Sequence, residues 1–410
     1  MNSPIPVEPN PGHPDGREYS FASRMATTPR SFIREILKVT EQPDIISFAG
    51  GLPNPSLIDV EGIRQASESV LRQDGRSALQ YSTTEGYLPL RQFIADRYKK
   101  RLGLSISPSE ILITNGSQQC LDLIGKVLID AGDPIGLERP GYLGAIQAFS
   151  LYLPAFRAIS LMDSGPDMGE FDRRCGSGKV RFFYGIPNSQ NPSGITYSSK
   201  CRQEIGSVLA GTDTLFVEDD AYGELDFTGR SLPSLWQYLP EQTIITGSFS
   251  KILAPGMRLG WVVAPQQIME QLIIAKQASD LHSNYLSQRI ACEYLHVNDI
   301  DAHIRTIRHA YRHQCDLMYS TIKETFPDTV TCTRPRGGMF IWLTLPDGCQ
   351  SMDVFNRALQ EKVAVLPGLP FYLDGGGTDT LRLNFSNATD EQIVEGITRL
   401  AGVIEKPAVN

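Results

Sequence analysis

The sequence predicts an α/β fold with one large domain and a smaller α+β domain behind it. Short apolar runs alternate with stretches that keep apolar residues at helical spacing along most of the 410 residues. A chain of this length buries a substantial core and is expected to divide into more than one domain. Beyond residues 335–338 a strand, a helix, a strand and a final helix follow one another, which predicts the small domain.

Composition narrows the class of protein. Hydrophobic residues make up 41% and charged residues 20% of the chain, as in ordinary globular proteins, and the net charge is −8. Neither nucleic acid nor an anionic membrane is an expected partner, because the charge is negative and no apolar run is long enough to span a bilayer. Residues 1–17 are rich in Pro and Gly and lack an apolar signal core, so they predict a flexible arm.

Cysteine and histidine patterns give no metal site. The seven cysteines are scattered without CxxC spacing, which favours free thiols in a reducing cytoplasm. His309 and His313 are four residues apart on a predicted helix that spans residues 299–323. Three arginines on that helix repel a divalent ion, so we expect no bound metal.

The N-terminal part predicts a helix, a glycine turn and two candidate ligand-binding side chains. Residues 31–41 carry apolar residues at helical spacing, and the strand-like run that begins at Ile45 ends in Gly50 and Gly51. Adjacent glycines let backbone N–H groups approach a ligand closely, although a plain turn explains them equally well. Arg24 lies upstream in a polar stretch, and Tyr81 follows a predicted helix with a hydroxyl that can donate to an anion.

An anion-binding turn is predicted after the first strand of the large domain. Residues 111–114 form a short apolar run, and helical spacing resumes after the next glycine. A strand, a glycine turn and a helix start together point free N–H groups at an anion, with help from the helix dipole. The candidate residues are Gly116, Ser117 and Gln118.

Lys251 lies between two predicted strands, residues 243–246 and 259–263. Ligands of α/β sheets bind at loops that leave the strands. Few charged residues flank this lysine, which favours a lowered pKa, and only a neutral amine attacks a carbonyl carbon to form a Schiff base. Taken alone, the segment also fits a surface loop with a solvated lysine. The same segment supplies three donors for an anion: Ser248, Ser250 and Arg258.

Buried charges are predicted at two further strands. Asp219 ends an apolar run within three successive acids, and a buried carboxylate is costly unless it meets a cation. Glu218 and Asp220 are expected to be structural or solvated. Arg382 lies inside the apolar run 380–385, and a buried arginine requires a carboxylate that its own strand lacks. An internal ion pair is the alternative to a ligand carboxylate.

Seven motifs resemble, in order, those of fold type I aminotransferases that depend on pyridoxal 5'-phosphate (PLP), and among them the α-aminoadipate and kynurenine aminotransferase group. The motifs are Gly-Gly-Leu-Pro, Gly-Ser-Gln, Pro-Gly-Tyr, Asn-Pro-Ser-Gly, Asp-Asp-Ala-Tyr, Ser-Phe-Ser-Lys and Arg-Leu-Asn-Phe. The resemblance implies a mixed, mostly parallel seven-stranded sheet between helices, plus a small α+β domain. The implied divisions are a flexible arm (1–30), a segment that joins the small domain and lines the site (31–60), a large PLP-binding domain (61–300) and a small domain (301–410).

The resemblance also implies a role for each candidate residue. Lys251 holds PLP as an aldimine and moves protons, Asp219 keeps the pyridine nitrogen protonated, and Tyr222 contacts the phenolate oxygen. These three are the implied catalytic residues. The implied cofactor-binding set adds Gly116, Ser117, Gln118, Tyr142 against the ring, Asn191, Ser248, Ser250, Arg258, and Tyr81 from the neighbouring subunit. The implied substrate-binding set is Arg382, Asn191 and Gly51 for the α-carboxylate and Arg24 for a distal carboxylate.

The implied activity is transfer of an amino group from an L-amino acid to a 2-oxo acid. By resemblance we expect 2-oxoglutarate as acceptor, a ping-pong mechanism, and 2-aminoadipate, aromatic or branched-chain amino acids as donors. A shared active site implies a homodimer, and the expected location is the cytoplasm. Two alternatives remain at this point: a PLP-dependent lyase or decarboxylase on the same fold, and a non-catalytic regulator in which such a domain follows a DNA-binding winged helix.

Overall fold

The computed structural model describes residues 19–27 and 44–405. The helix predicted over residues 31–41 lies outside the described residues. The strands are β1 (Ile46–Ser47), β2 (Ile111–Thr114), β3 (Pro134–Arg139), β4 (Ala155–Met162), β5 (Gly165–Pro166), β6 (Phe182–Gly185), β7 (Leu215–Asp219), β8 (Thr243–Ser248), β9 (Gly260–Val263), β10 (Thr331–Cys332), β11 (Phe340–Thr344), β12 (Val363–Ala364), β13 (Leu366–Pro367) and β14 (Thr380–Asn384).

Helices alternate with these strands along most of the chain. They are α1 (Arg24–Thr27), α2 (Val60–Ala78), α3 (Leu88–Leu102), α4 (Ser117–Leu128), α5 (Leu143–Ser150), α6 (Met168–Cys175), α7 (Ser199–Leu209), α8 (Gln266–Asp280), α9 (Tyr285–Val297), α10 (Ile300–Thr325), α11 (Ser351–Gln360) and α12 (Asp390–Glu405). None of the helices in the described ranges is both long and apolar enough to cross a membrane.

The large sheet is mixed and mostly parallel, as predicted. Its strand order is β2-β9-β8-β7-β6-β3-β4-β5. The central pairs from β8 to β4 are parallel, whereas β9 runs antiparallel to both β8 and β2. Seven strands match the expected number, and the structure adds an eighth, the two-residue β5, on the edge of β4. That strand was not predictable because two residues carry no periodic signal.

Both faces of this sheet are buried, which explains the continuous apolar runs of its strands. Phe182 and Tyr184 point into the main core, while Phe183 between them packs into a second cluster. Such alternation is the period of two that a strand imposes on its side chains. The second cluster is closed by the helix pair α6 and α7, through residues such as Phe171 and Ile205.

The C-terminal part forms a four-stranded antiparallel sheet with the order β10-β11-β14-β13. Helix α11 packs against strand β13 of this sheet, α12 packs against α11 and β12, and α10 and α12 contact each other extensively. The N-terminal strand β1 pairs in parallel with β12, so the segment before the large domain is attached to this part. Arg382 lies in the centre of β14, opposite Trp342 of β11.

Candidate active site

A cavity of about 330 Å³ opens at the carboxyl ends of β6, β7 and β8. Ligand sites of α/β sheets occur at this edge, where loops replace the strands. The cavity is lined by Gly51, Leu52, Ser117, Gln118, Tyr142, Ile186, Asn191, Asp219, Ala221, Tyr222, Ser248, Ser250, Lys251, Pro255, Arg258 and Arg382. Residues that are far apart in the sequence therefore meet at one cavity, and most of the predicted site residues are among them.

Lys251 follows β8 and reaches into the cavity. Its Nζ donates a hydrogen bond of 2.7 Å to the carbonyl oxygen of Gly51. Burial, together with the positive charges of Arg382 and Arg258, lowers the pKa of the lysine to about 8. The lowered pKa is as predicted, but burial is its main cause. A lysine with this pKa is partly neutral near pH 7 and can act as a nucleophile or a base.

Asp219 ends β7 at the floor of the cavity. The side chain is only 3% exposed, and its Oδ2 accepts a 2.7 Å hydrogen bond from the Tyr184 hydroxyl. Its Oδ1 has no hydrogen-bond partner within residues 19–27 and 44–405. Burial raises the pKa of this carboxyl to about 6. A cationic group in the cavity would satisfy the orphaned oxygen, and the protonated nitrogen of a pyridine ring is such a group.

The two acids that flank Asp219 have structural partners, as expected. Glu218 is buried, and its Oε2 accepts hydrogen bonds from Ser234 Oγ at 2.7 Å and from the Leu235 N–H at 2.8 Å. Asp220 accepts a 2.7 Å hydrogen bond from Asn188 Nδ2. Neither acid lines the cavity. Asp219 is therefore the acid among the three that presents an oxygen to a ligand.

A second part of the cavity lining, at the start of α4, can bind an anion, and we call it the anion cradle. In the described part of the chain the N–H groups of Ser117 and Gln118 donate to no protein acceptor, while the Gln118 side chain is bonded to the Gly144 carbonyl. Gly116 has φ +78°, and a Cβ there would lie 2.5 Å from Arg258 Nη2. A side chain at position 116 would thus displace the guanidinium. Two N–H groups at a helix start beside an arginine suit a phosphate.

Two hydroxyls complete the cradle from the β8 side. Ser248 is buried at the end of β8, and its Oγ accepts a 3.1 Å hydrogen bond from the Ser250 N–H. Both serines and Arg258 line the cavity together with Ser117 and Gln118. The five residues come from two segments that are more than a hundred positions apart, and the antiparallel pair β2–β9 brings these segments together.

Arg382 provides a buried cation in another wall of the cavity. Its Nη1 donates to Asn191 Oδ1 at 2.9 Å and its Nη2 to the Ala49 carbonyl at 2.6 Å, while Nε has no partner in the described residues. The guanidinium lies 4.3 Å from the centre of the Phe340 ring. No acidic side chain in the described ranges pairs with it, so the alternative of an internal ion pair is wrong there. Burial lowers its pKa to about 10.

Asn191 and Tyr222 connect this cation to the centre of the cavity. Asn191 Nδ2 lies 3.4 Å from the Tyr222 hydroxyl, and both residues are buried. Burial raises the pKa of Tyr222 above its ordinary value, so the hydroxyl keeps its proton and serves as a donor. Tyr142 caps the N-terminus of α5 and lines the cavity beside them. Its stacking on a cofactor ring stays a prediction.

The structure does not bring Tyr81 or Arg24 to this cavity. The Tyr81 side chain is 79% exposed, and its ring meets the edge of His282 at 5.8 Å. Arg24 is exposed on the short helix α1. Burial raises the pKa of Tyr152, and the positive charge of Arg24 opposes that rise. In a single chain neither lines the cavity. Their roles at a neighbouring subunit's cofactor and at a distal carboxylate therefore stay predictions.

Several residues of the site were not foreseen from the sequence. Tyr184 holds Asp219, and a tyrosine within the apolar run of β6 was a signal, because its buried hydroxyl needs a partner. Phe340 lies under the Arg382 guanidinium, and a Cβ added at Gly51 would come within 3.3 Å of the same ring. No group of three metal-ligating side chains occurs among the described residues. The cavity is also lined by Leu52, Ile186, Ala221 and Pro255. Leu52 and Ala221 belong to the Gly-Gly-Leu-Pro and Asp-Asp-Ala-Tyr motifs, whereas the other two gave no sequence signal.

Comparison with known proteins identifies the family. Residues 45–400 match the model of aminotransferase class I and II. The chain is 42% identical over 379 residues to a 2-aminoadipate transaminase of Thermus thermophilus, covering 92% of this chain and 94% of that one. It is 40% identical over 395 residues to aromatic-amino-acid aminotransferase 1 of Thermococcus litoralis, covering 95% of each.

A solved structure agrees with these matches. The alpha-aminoadipate aminotransferase LysN of Thermus thermophilus, complexed with N-(5'-phosphopyridoxyl)-L-leucine, superposes with a TM-score of 0.88 at 40% identity, over 94% of this chain and 97% of that one. The cavity residues of this chain offer a lysine, an acid with a free oxygen and an anion cradle, which are the groups that PLP requires. The chain therefore belongs to the class I and II aminotransferases, which are PLP-dependent transaminases of fold type I.

Proposed function

We propose that this aminotransferase moves the amino group of an L-amino acid to 2-oxoglutarate by a ping-pong mechanism, with Lys251 as the amine that binds PLP. The observation that carries the proposal is the arrangement of three charged groups around one cavity: Asp219 and Arg382 are buried, and Lys251 is partly buried. Lys251 has a lowered pKa, Asp219 has an unpartnered oxygen, and Arg382 has no acidic partner in the described ranges. An amine, a ring-nitrogen partner and a carboxylate receptor are what transamination of an amino acid needs.

Lys251 is the proton carrier in this mechanism. When bound, PLP supplies an electron-withdrawing ring that stabilises negative charge at the α-carbon of the substrate. Lys251 Nζ, whose pKa of about 8 leaves part of it neutral at pH 7, would take the α-proton of the substrate and later give up a proton as the conjugate acid. The Gly51 carbonyl accepts a hydrogen bond from Nζ and so keeps it at the cavity wall. Asp219 would stabilise the positive charge of the ring, since its Oδ1 is free to accept a hydrogen bond from a protonated ring nitrogen.

Arg382 and Asn191 orient the substrate. The guanidinium is held by hydrogen bonds to the Ala49 carbonyl and to Asn191 Oδ1. It is packed against Phe340, so it meets a carboxylate in one orientation. A planar guanidinium binds a carboxylate with two parallel hydrogen bonds, which fixes the direction of the α-carbon. Arg382 should therefore bind the α-carboxylate of every amino acid and of every 2-oxo acid in the same way.

The substrate proposal rests on the relatives and on Arg24. Proteins similar to this one are named for 2-aminoadipate and for aromatic amino acids, and the solved relative contains a leucine adduct. We propose 2-aminoadipate, aromatic and branched-chain amino acids as donors. Arg24 would bind the distal carboxylate of a diacid and leave apolar donors unaffected.

We also propose that the protein is a homodimer in which each active site contains residues of both subunits. The proposed location is the cytoplasm. Tyr81, Leu79 and Leu281 are large and more than half exposed, and His282, which follows Leu281, contacts the Tyr81 ring. Exposed apolar side chains grouped in this way are typical of a surface that a partner covers. Tyr81 would then donate to the phosphate of the neighbouring subunit's PLP. The seven free thiols support a reducing compartment.

The deciding experiment pairs amino acids with two acceptors. The purified PLP-loaded protein is mixed with 2-aminoadipate, glutamate, leucine or phenylalanine, each with 2-oxoglutarate or pyruvate, and the new oxo acid and new amino acid are both measured. Equal amounts of the two products, and one equivalent of oxo acid per site without acceptor, support a ping-pong aminotransferase. Amino-acid loss with release of CO₂ or of a side-chain fragment would instead indicate a decarboxylase or lyase. Lys251→Ala is the inactive control.

A further inference from the structure

An ion pair between a fully buried lysine and a partly exposed aspartate lies next to the anion cradle, and neither residue lines the cavity. The Lys276 side chain is fully buried, and its Nζ donates to Asp280 Oδ1 at 2.8 Å and to Gln119 Oε1 at 3.0 Å. Lys276 and Asp280 both belong to α8, and Gln119 belongs to α4. An ion pair of this kind adds little net stability, because the cost of removing the lysine charge from water offsets the attraction between the two groups. The pair therefore calls for an explanation in terms of what it holds in place.

The ion pair holds Asn115, the first residue of the turn between β2 and α4. Asn115 Nδ2 donates to Asp280 Oδ2 at 2.6 Å, and the Asn115 N–H donates to Gln119 Oε1 at 2.8 Å. Gln119 Nε2 donates to the same Asp280 oxygen at 2.7 Å. The Asn115 carbonyl accepts from Arg258 Nη2 at 3.3 Å. Both backbone groups and the side chain of this residue are thus fixed.

This anchoring decides where the free N–H groups point. The Gly116 N–H turns back to the Thr114 carbonyl at 2.9 Å, so Ser117 and Gln118 are the first residues whose N–H groups are available. Asn115 lies just before them in the turn, and its rotation would redirect both. Hydrogen bonds depend steeply on angle, so a small rotation would weaken their donation to a phosphate.

The charge of Lys276 gives a second reason for a lysine at this position. Asp280 lies at the C-terminus of α8, where the helix dipole disfavours a negative charge, and its side chain is 23% exposed. Without Lys276 this carboxylate would stand unneutralised beside a turn that must accept an anion. Burial lowers the pKa of Lys276, while the Asp280 charge opposes that shift and favours the ammonium form. The ion pair thus lets Asp280 hold Asn115 without repelling the phosphate.

We propose that Lys276 is a positioning residue for the cofactor phosphate: paired with Asp280, it fixes Asn115 and so aims the N–H groups of Ser117 and Gln118. The proposal rests on the proposed phosphate site. Lys276 itself does not line the cavity, so its effect is on the turn alone.

The test compares two ligands that differ only in the phosphate. Apoprotein of the wild type and of Lys276→Met is titrated with PLP and with pyridoxal, and the two dissociation constants are read from absorbance. We expect the preference for PLP over pyridoxal to fall about tenfold in Lys276→Met, with pyridoxal affinity unchanged. Lys126→Met is the matched control, because Lys126 also links α4 to α8, through Ser279 Oγ at 2.7 Å, but is partly exposed and holds neither Asn115 nor Asp280.

An unchanged preference in Lys276→Met, or an equal loss of both affinities, would overturn the proposal, since a merely structural role weakens both ligands together. If Lys276→Met does not fold, Asn115→Ala makes the same test by removing only the hydrogen bond to Asp280, and it must lower the preference. Arg258→Ala distinguishes a failure of the proposed phosphate site from a failure of the proposed role of Lys276. A normal preference in that variant would contradict the phosphate site itself, whereas a lost preference there with a normal one in Lys276→Met contradicts Lys276 alone.

Discussion

Asp219→Asn is expected to stabilise the apoprotein while it damages the enzyme. Burial raises the pKa of Asp219 from 3.8 to about 6, so its ionised form is disfavoured in the folded apoprotein by roughly 2 pKa units, or about 3 kcal/mol at neutral pH. An asparagine has no charge to desolvate, but its amide leaves one buried polar group incompletely paired, which costs about 1 kcal/mol. We therefore expect the free energy of unfolding to rise by about 2 kcal/mol at pH 7.

The stability difference between Asp219→Asn and the wild type should depend on pH. Because the folded pKa of Asp219 lies above the unfolded one, the folded apoprotein binds more protons, and this contribution to stability is lost as pH rises from about 4 to about 6. The asparagine that replaces it carries no titratable group. The advantage of Asp219→Asn should therefore be absent near pH 4 and complete at pH 7.

Urea unfolding of both apoproteins at about pH 4.5 and about pH 7.5, at equal protein concentration, measures this difference. Glu224→Gln is the control: burial alone raises the pKa of Glu224, but Arg101 and Arg97 outweigh it and lower that pKa, so the same change should destabilise the protein. Saturating PLP should reverse the order, since it supplies the cation that Asp219 lacks. An apoprotein of Asp219→Asn no more stable than wild type at the higher pH, or equally more stable at both pH values, would refute the reasoning.

Three further predictions concern single side chains. Lys251→Ala should fold but lose turnover and all PLP that borohydride can fix covalently; fixed PLP in this variant would exclude Lys251 as its amine. Arg382→Ala should lower kcat/KM for every amino acid by roughly thirty- to a hundredfold, about 2–3 kcal/mol for one charged contact, in steady-state assays; selective loss would contradict a role at the α-carboxylate. Arg24→Ala should lower kcat/KM for glutamate and 2-aminoadipate and spare leucine and phenylalanine; an equal loss for all four, or none for the diacids, would remove Arg24 from the pocket.

The sequence allowed the cavity to be predicted where a charge interrupts an apolar run. Asp219 and Arg382 are conspicuous because an apolar run leads into the acids of β7, and leucines flank Arg382 on both sides in β14. Such runs are expected to be buried. Lys251 follows a third buried strand in the same way. The local order of strand, glycine and helix predicted free N–H groups at the start of α4, and in the described part of the chain those of Ser117 and Gln118 have no protein acceptor. In each case the signal lay within a few residues of the functional side chain.

Residues that act through distant contacts gave no such signal. In the sequence, Lys276 and Asp280 form an ordinary i,i+4 pair typical of a solvated helix face, and only the packing of α8 on α4 buries them against Gln119. Phe340 is one more apolar residue of β11, and its contact with Arg382 depends on how distant segments pack around the cavity. The contact of Lys276 with Gln119 joins segments more than a hundred residues apart, and local periodicity does not contain such information.

The cavity keeps two opposite charges apart. Asp219 and Arg382 both line it and both are nearly fully buried, yet no ion pair joins them within residues 44–405. Each is instead held by neutral partners: a tyrosine hydroxyl for the acid, a carbonyl and an amide oxygen for the arginine. Neutral partners fix the geometry of a charge without neutralising it, so each group retains one unpartnered atom, Oδ1 or Nε. The apoprotein therefore bears the desolvation of both charges, and a ligand with a cationic ring at one end and a carboxylate at the other relieves both at once.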